Sequence, residues 1–198
     1  MVVGLTGGIG SGKTTISNLF GKFQNVVIYN ADYEAKKLMN SSFEIKSKII
    51  EQFGESSYKN NQLNTTYIAA HVFKDKTKLE ALNSLVHPEV KNHFQQFISQ
   101  QKKEDYIIYE NAILFESKSN LICDIIISVA TPLDIRIKRI LLRDNSSEEE
   151  VLRRIKSQWL EEKKQLQSHY IIYNQNSENL PSQVINIHNI LTKKNSLI

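Results

Sequence analysis

Residues 2–20 read VVGLTGGIGSGKTTISNLF, and this stretch sets five of the chain's seven glycines ahead of a lysine and two threonines. Gly7, Gly12, Lys13 and Thr14 fill the spacing G-x-x-x-x-G-K-[ST]. The apolar run Val2, Val3 and Leu5 precedes them, and Ile16, Leu19 and Phe20 follow at helical spacing. Strand, glycine loop and helix therefore stand in the order that a phosphate-binding loop needs. Glycines let successive backbone N–H groups turn inward with no Cβ in the way, and the following helix aims the positive end of its dipole at the same point. The stretch reads as an anion cradle, in which Lys13 bridges the β- and γ-phosphates of a nucleoside triphosphate and the Thr14 hydroxyl ligates Mg²⁺.

Working outward, four further apolar runs belong on the same sheet. NVVIYNAD (25–32) reads as a second strand running into a helix near Asp32, and YIIYE (106–110), DIIISVA (124–130) and YIIYN (170–174) follow. Unbroken Ile, Val and Tyr runs, as opposed to alternating ones, suit parallel strands covered on both faces. The expected fold is α/β: a P-loop NTPase fold with a doubly wound, parallel, five-stranded sheet. Residues 33–104 read almost entirely as helices, from YEAKKLMN, FEIKSKIIEQFG and TTYIAAHVF to KTKLEALNSLVHPEVKNHFQQFISQQ. That is too long for a crossover and predicts an inserted helical substrate lobe between core segments 1–32 and 105–198. Residues 132–166 predict a helical lid of two helices broken at DNSS, with Ser146 to Glu149 or Ser147 to Glu150 at capping-box spacing. Pro181 suits the first turn of a terminal helix.

The chain has 198 residues, 40% of them hydrophobic and 23% charged, which suits one compact core with an insertion and not a disordered chain. Its single cysteine, Cys123, lies in an apolar run and reads as a small buried side chain; an intrachain disulfide or Cys-based zinc site is excluded. The first strand begins at Val2 and no apolar run has the length of a membrane span, so a cytoplasmic protein with no membrane partner is expected. The net charge of +4 is dispersed among 21 acidic residues, which argues against nucleic acid and for a mild pull on small polyanions.

Further chemistry is placed by position. Asp32, at the carboxyl end of the second strand, can accept the proton of an attacking hydroxyl or cap the helix that follows. Glu110 ends the third strand, where an acidic residue holds Mg²⁺ through water or simply meets solvent. Arg136, Arg139 and Arg143 recur at spacings of three and four on one helical face, as lid arginines that stabilise a transferring phosphoryl group or as a solvated face. His87 and Pro88 read as a loop closing onto a helix. Phe94, Phe97, Ile98 and Trp159 have the spacing of helix packing and not of a base-stacking platform. The five histidines show no metal-ligand spacing.

Taken together, LTGGIGSGKTT, NAD at 30–32, LVHPEV at 85–90, ENAILFE at 110–116, KRILLRD at 138–144 and RIKSQ at 154–158 resemble, in order and spacing, the dephospho-CoA kinases. The resemblance implies ATP-dependent phosphorylation of the ribose 3′-hydroxyl of dephospho-CoA, with ATP and Mg²⁺ as cofactors and no macromolecular partner beyond a monomer or small homo-oligomer. It assigns Gly7, Gly8, Ile9, Gly10, Ser11, Gly12, Lys13, Thr14 and Thr15 to the nucleotide. Asp32 becomes the catalytic base, Lys13, Arg139 and Arg143 the charge-stabilising groups, Thr14 and Glu110 the metal side, and His87 and Pro88 part of the acceptor lobe. Asn30 stands where the family commonly has a first aspartate, Ala112 where it has proline, and His169 where it has an acidic residue. Another nucleoside or nucleotide kinase shares this plan, and a nucleotide-dependent switch shares the loop.

Overall fold

The computed structural model of the chain describes residues 1–72, 75–101, 104–144, 146–176 and 178–195. In chain order the elements are β1 (Val2–Thr6), α1 (Lys13–Phe20), β2 (Val26–Asn30), α2 (Ala31–Ser41), α3 (Phe43–Phe53), β3 (Tyr58–Lys59), β4 (Gln62–Leu63), α4 (Thr65–Val72) and α5 (Lys76–Gln100). They continue with β5 (Tyr106–Glu110), β6 (Ile125–Ala130), α6 (Leu133–Asp144), α7 (Glu148–Lys156), α8 (Glu161–Leu166), β7 (Tyr170–Tyr173) and α9 (Leu180–Asn195). These divide into two compact units, Met1–Asn30 with Lys103–Ile198, and Ala31–Lys102.

In the first unit all five strands run parallel, in the order β2-β5-β1-β6-β7. The chain leaves β1 to one side and later crosses to the other, so the direction of winding reverses at the carboxyl end of β1, where ligands of such sheets bind and where the glycine loop begins. Every residue of β5 and β6 is buried, which explains why their sequences are unbroken apolar runs. Val3, Leu5, Ile16, Phe20, Ile108 and Ile127 expose nothing, and each contributes on the order of 1.5–3 kcal/mol by leaving water. At the outer edge, the Gln183 amide stands in for a further strand: it accepts from the Tyr173 N–H at 2.9 Å and donates to the Tyr173 carbonyl at 3.0 Å. His169 prolongs the β6–β7 ladder; its N–H donates to the Ile126 carbonyl at 2.8 Å and its Nδ1 faces the Ile126 N–H at 3.0 Å. Cys123 lies beneath Gly4, where burial pushes its thiol up to about 12, so it is no nucleophile at neutral pH.

The second unit is mostly helical. Ile45, Ile49 and Phe53 of α3, Ile68 and Val72 of α4, and Val86, Val90 and Phe94 of α5 are buried at helical spacing. Ser42 and Asp75 cap α3 and α5, accepting the N–H groups of Ile45 at 3.3 Å and Thr77 at 2.9 Å. Two sequence expectations are corrected here. The stretch is not helical throughout: Asn60 and Asn61, with φ of 50° and 66°, make the two-residue turn of the β3–β4 hairpin. His87 and Pro88 form no loop but continue α5, with Pro88 inside the helix. Interior proline forfeits a hydrogen bond to the carbonyl four residues earlier. Ser84, which carries that carbonyl, is exposed, and Val86, Val90 and Phe94 keep the helix packed. Phe73, the expected last residue of α4, and Asn145, within the expected DNSS break, lie outside the described residues.

Between β6 and β7 the described residues form three helices instead of the expected two, because the chain breaks a second time between α7 and α8. Ser147 with Glu150, and not Ser146 with Glu149, makes the capping box of α7. Trp159 falls in the second break and stacks on Phe115 with centroids 5.8 Å apart, so its packing is not that of a helix face.

One titrating contact sits in the first unit's core. The Phe23 ring stacks on His188 at 3.6 Å, and the Tyr106 hydroxyl lies 2.7 Å from His188 Nδ1. Burial lowers the His188 pKa, with Asp105 opposing, and burial also raises that of Tyr106. The Tyr106 hydroxyl therefore stays protonated, hydrogen-bonded to an imidazole whose charged form burial disfavours. A histidine held neutral contributes stability above its unfolded pKa of about 6.5, and the contribution is lost as pH falls through the lower folded value. His87, also lowered by burial, acts in the same direction. Urea unfolding should accordingly show stability falling between about pH 7.5 and pH 5.5, with a shallower fall in His188→Gln.

Candidate active site

A residue at Gly12 takes the left-handed conformation, φ 87° and ψ 26°, immediately before α1 begins at Lys13. The preceding turn, residues 8–11, is closed by the Ser11 N–H donating to the Gly8 carbonyl at 3.1 Å. The Ser11 carbonyl accepts from Asn174 Nδ2 at 2.7 Å and from the Thr131 hydroxyl at 3.0 Å. Lys13, 8% exposed, donates to the Gly7 carbonyl at 2.9 Å and the Gly8 carbonyl at 3.4 Å. A side chain at Gly12 would overlap the Asn174 amide, and one at Gly8 would overlap the Arg136 guanidinium and approach Glu161. A side chain at either place would have to push these groups off their partners, and at Gly12 the left-handed backbone favours glycine as well.

The start of α1 carries a second feature. Glu110, 3% exposed at the end of β5, accepts from the Thr14 hydroxyl at 2.7 Å and from the Ser17 hydroxyl at 2.7 Å. The reading of Glu110 as a solvent-exposed strand end is thereby corrected: β5 lies between β2 and β1, so its carboxyl end is covered. A hydroxyl and a carboxylate are the hard oxygen donors that Mg²⁺ takes, usually one or two from protein with water and phosphate completing the shell. Among the described residues no group of three His, Cys, Asp or Glu side chains is placed to hold a metal. Thr14 and Glu110 thus fit a cation that leans on nucleotide oxygens and water. Thr15 is exposed beside α1's buried Ile16.

The three arginines of α6 share one stripe of the helix but meet different partners. Arg136, 4% exposed, donates from Nε to the Ile9 carbonyl at 2.9 Å and pairs with Glu161 at 3.6 Å. Arg139 reaches the Asn174 side-chain oxygen at 3.3 Å, while its Nη1 is buried with no hydrogen-bond acceptor among the described residues. Arg143 is exposed and grips Asp144 at 2.5 and 3.0 Å, and Arg154 donates to the same carboxylate at 2.7 Å. These charges pull the Asp144 pKa far below the ordinary range, and the trio ties α6 to α7. Arg136 and Arg139 are brought to the glycine loop, and Arg143 is turned to Asp144.

Several residues that touch the loop were not singled out from the sequence: Gln158 accepts the Ile9 N–H at 2.9 Å, and Asn174 and Thr131 hold the Ser11 carbonyl. Arg136, read from the sequence as a lid arginine, instead holds the Ile9 carbonyl. Lys164, 0% exposed, donates to the Ala112 carbonyl at 2.7 Å and pairs with Glu116 at 3.0 Å, and Glu116 in turn accepts the Trp159 N–H at 2.7 Å. Gln158, Asn174 and Glu116 do fall inside or beside the motifs quoted above, but nothing local in the sequence says what their side chains meet.

Asp32, His87 and Pro88 belong to the second unit. Because α2 opens at Ala31, Asp32 is exposed in its first turn and is not its cap. A carboxylate there is favoured by the helix dipole and remains open to solvent chemistry. His87 is half-buried and Pro88 exposed on α5.

A parallel sheet reversing at a G-x-x-x-x-G-K-[ST] loop, with a hydroxyl and a buried carboxylate beside the lysine, defines a P-loop phosphotransferase site. The family model described as dephospho-CoA kinase matches residues 1–179. A dephospho-CoA kinase of Bacteroides fragilis is 35% identical over 97% of this chain and 93% of its own. One from Porphyromonas gingivalis is 37% identical over 80% of this chain and 77% of its own. The crystal structure of a Thermus thermophilus protein superposes with a TM-score of 0.84 at 27% identity, covering 96% of each chain. The chain belongs to the dephospho-CoA kinase family.

Gly12→Ala tests the geometry directly. It imposes about 1–2 kcal/mol of left-handed strain and drives the Asn174 amide off the Ser11 carbonyl. Calorimetric titration with ADP should show affinity reduced by roughly tenfold or more, since 1.4 kcal/mol is one decade.

Proposed function

We propose that this protein transfers the γ-phosphoryl group of ATP to the ribose 3′-hydroxyl of dephospho-CoA, giving CoA and ADP, the last step of CoA synthesis. The observation that carries the reading is the buried Glu110 carboxylate bridging Thr14 and Ser17 beside Lys13, in a chain matched from residue 1 to 179 by one kinase family. Mg²⁺, held through Thr14 and through water on Glu110, would neutralise charge on the β- and γ-phosphates when bound.

The 3′-oxygen attacks the γ-phosphorus, its proton passes to the Asp32 carboxylate, and the bond from that phosphorus to the β,γ-bridging oxygen breaks. Lys13 leaves the Gly7 and Gly8 carbonyls for phosphate oxygens, exchanging neutral acceptors for charged ones. Arg139, whose Nη1 is buried without an acceptor among the described residues, adds a donor to the nucleotide side. Residues Gly7 to Thr15 take the nucleotide, and the unit Ala31–Lys102 supplies the acceptor lobe, with His87 and Pro88 on its long helix. Among the described residues no helix is long and apolar enough to cross a membrane; membership of the kinase family supports a small-molecule substrate and work in the cytoplasm.

The test is ADP release with Mg-ATP in the presence and absence of dephospho-CoA, with the product weighed for one added phosphate and with adenosine and AMP run alongside. Turnover that requires dephospho-CoA and yields CoA supports the reading; turnover on another acceptor alone overturns it. Lys13→Ala should lower kcat by on the order of 10²–10³, the range for losing one preorganised charge-stabilising donor. Asp32→Asn should bind ATP with unchanged affinity and lose transfer, and a fully active Asp32→Asn enzyme would remove Asp32 from the chemistry.

A further inference from the structure

Ile9 sits between Gly8 and Gly10, so the two peptide planes on either side of it can rotate at little cost. In the structure both planes are gripped by side chains from far along the chain. Gln158 Oε1 accepts the Ile9 N–H at 2.9 Å, and Arg136 Nε donates to the Ile9 carbonyl at 2.9 Å. A trans peptide turns its carbonyl and N–H to opposite edges. Holding the Ile9 N–H therefore turns the Gly8 carbonyl toward its partners, the Ser11 N–H at 3.1 Å and Lys13 Nζ at 3.4 Å. Holding the Ile9 carbonyl turns the Gly10 N–H away from α6.

We propose that Arg136 and Gln158 are positioning residues that fix the two peptides flanking Ile9, so that the helices after β6 pre-set the phosphate loop before nucleotide arrives. Both grips are themselves built in. Arg136 is 4% exposed beside Glu161. Gln158 precedes Trp159, whose N–H is fixed on Glu116 at 2.7 Å and whose ring is stacked on Phe115. Glu116 is paired with the fully buried Lys164 at 3.0 Å. A flexible glycine loop would have to be ordered by the nucleotide at the expense of affinity, and this clamp removes that cost in advance. The inference rests on reading the loop as the ATP site and is independent of which acceptor is phosphorylated.

Gln158→Met keeps the length of the side chain and removes the acceptor. Losing one such bond should weaken ADP binding, read by calorimetry, and raise the KM for ATP by roughly 3–10-fold. The KM for dephospho-CoA should move much less, and the ligand-free melting temperature should stay within about 2 °C. Amide exchange at Ile9 should accelerate. Arg136→Lys, which keeps the charge but not the Nε geometry, should shift ADP affinity in the same direction; if it does not fold, Gln158→Met alone decides. Unchanged ADP affinity in Gln158→Met overturns the proposal, as does a loss that appears only alongside a matching fall in melting temperature. If the unaltered protein fails to turn over dephospho-CoA while the ADP effect persists, the acceptor assignment falls and this inference stands.

Discussion

A loop that turns its N–H groups toward an anion must turn its carbonyls somewhere else, and buried carbonyls need donors. That requirement organises the first unit. Gly7 and Gly8 give their carbonyls to Lys13, Gly8 also accepts the Ser11 N–H, Ile9 is answered by Arg136, and Ser11 by Asn174 and Thr131. The partners come from the end of β6, from α6 and from just past β7. The parallel order β1-β6-β7 is what brings those carboxyl ends to the same side as the loop. The sheet therefore matters to function less as a scaffold in general than as the device that delivers donors from three distant segments to one set of outward carbonyls.

The same economy explains where charge is buried. Lys13, Glu110, Arg136 and Lys164 are all below a tenth exposed, and an unpaired ion at any of them would be costly. Each is met by partners of matching kind: carbonyls for Lys13, two hydroxyls for Glu110, a carbonyl and Glu161 for Arg136, a carbonyl and Glu116 for Lys164. Such groups add little net stability against an apolar alternative, but they fix geometry, which is what a site for charge transfer requires.

What the sequence made legible follows from the range of each interaction. The glycine loop and the five strands were readable because their signals are local: the spacing of Gly7, Gly12, Lys13 and Thr14, and runs such as IIISVA that only a doubly covered strand tolerates. The capping box at Ser147 and Glu150 is local too. Asn60–Asn61 was also a local signal, a dipeptide suited to left-handed turn positions, outweighed by the helical pattern on both sides. His87-Pro88 misled in the opposite way, since proline's local preference was overridden by the buried stripe of α5. The clamp on Ile9 was not legible at all. Gln158 lies 149 residues from its partner, and nothing in RIKSQ distinguishes a glutamine facing solvent from one closing on a backbone N–H.

The arginines of α6 show why periodicity alone cannot assign chemistry. Spacings of three and four set Arg136, Arg139 and Arg143 along one stripe of the helix, positions seven apart being only about 20° out of line at 3.6 residues per turn, yet each guanidinium meets different surroundings. Arg136 shares the buried side with Ile140, Arg139 reaches Asn174, and Arg143 reaches Asp144, where Arg154 also binds. One helix thus sets three arginines in three places: Arg136 on a loop carbonyl, Arg139 on Asn174, and Arg143 on the Asp144 carboxylate that Arg154 of the next helix also grips. The middle residue is the one whose guanidinium keeps a buried nitrogen without an acceptor among the described residues. That unmet donor, and not its place in a repeat, is what sets Arg139 apart from its neighbours on α6.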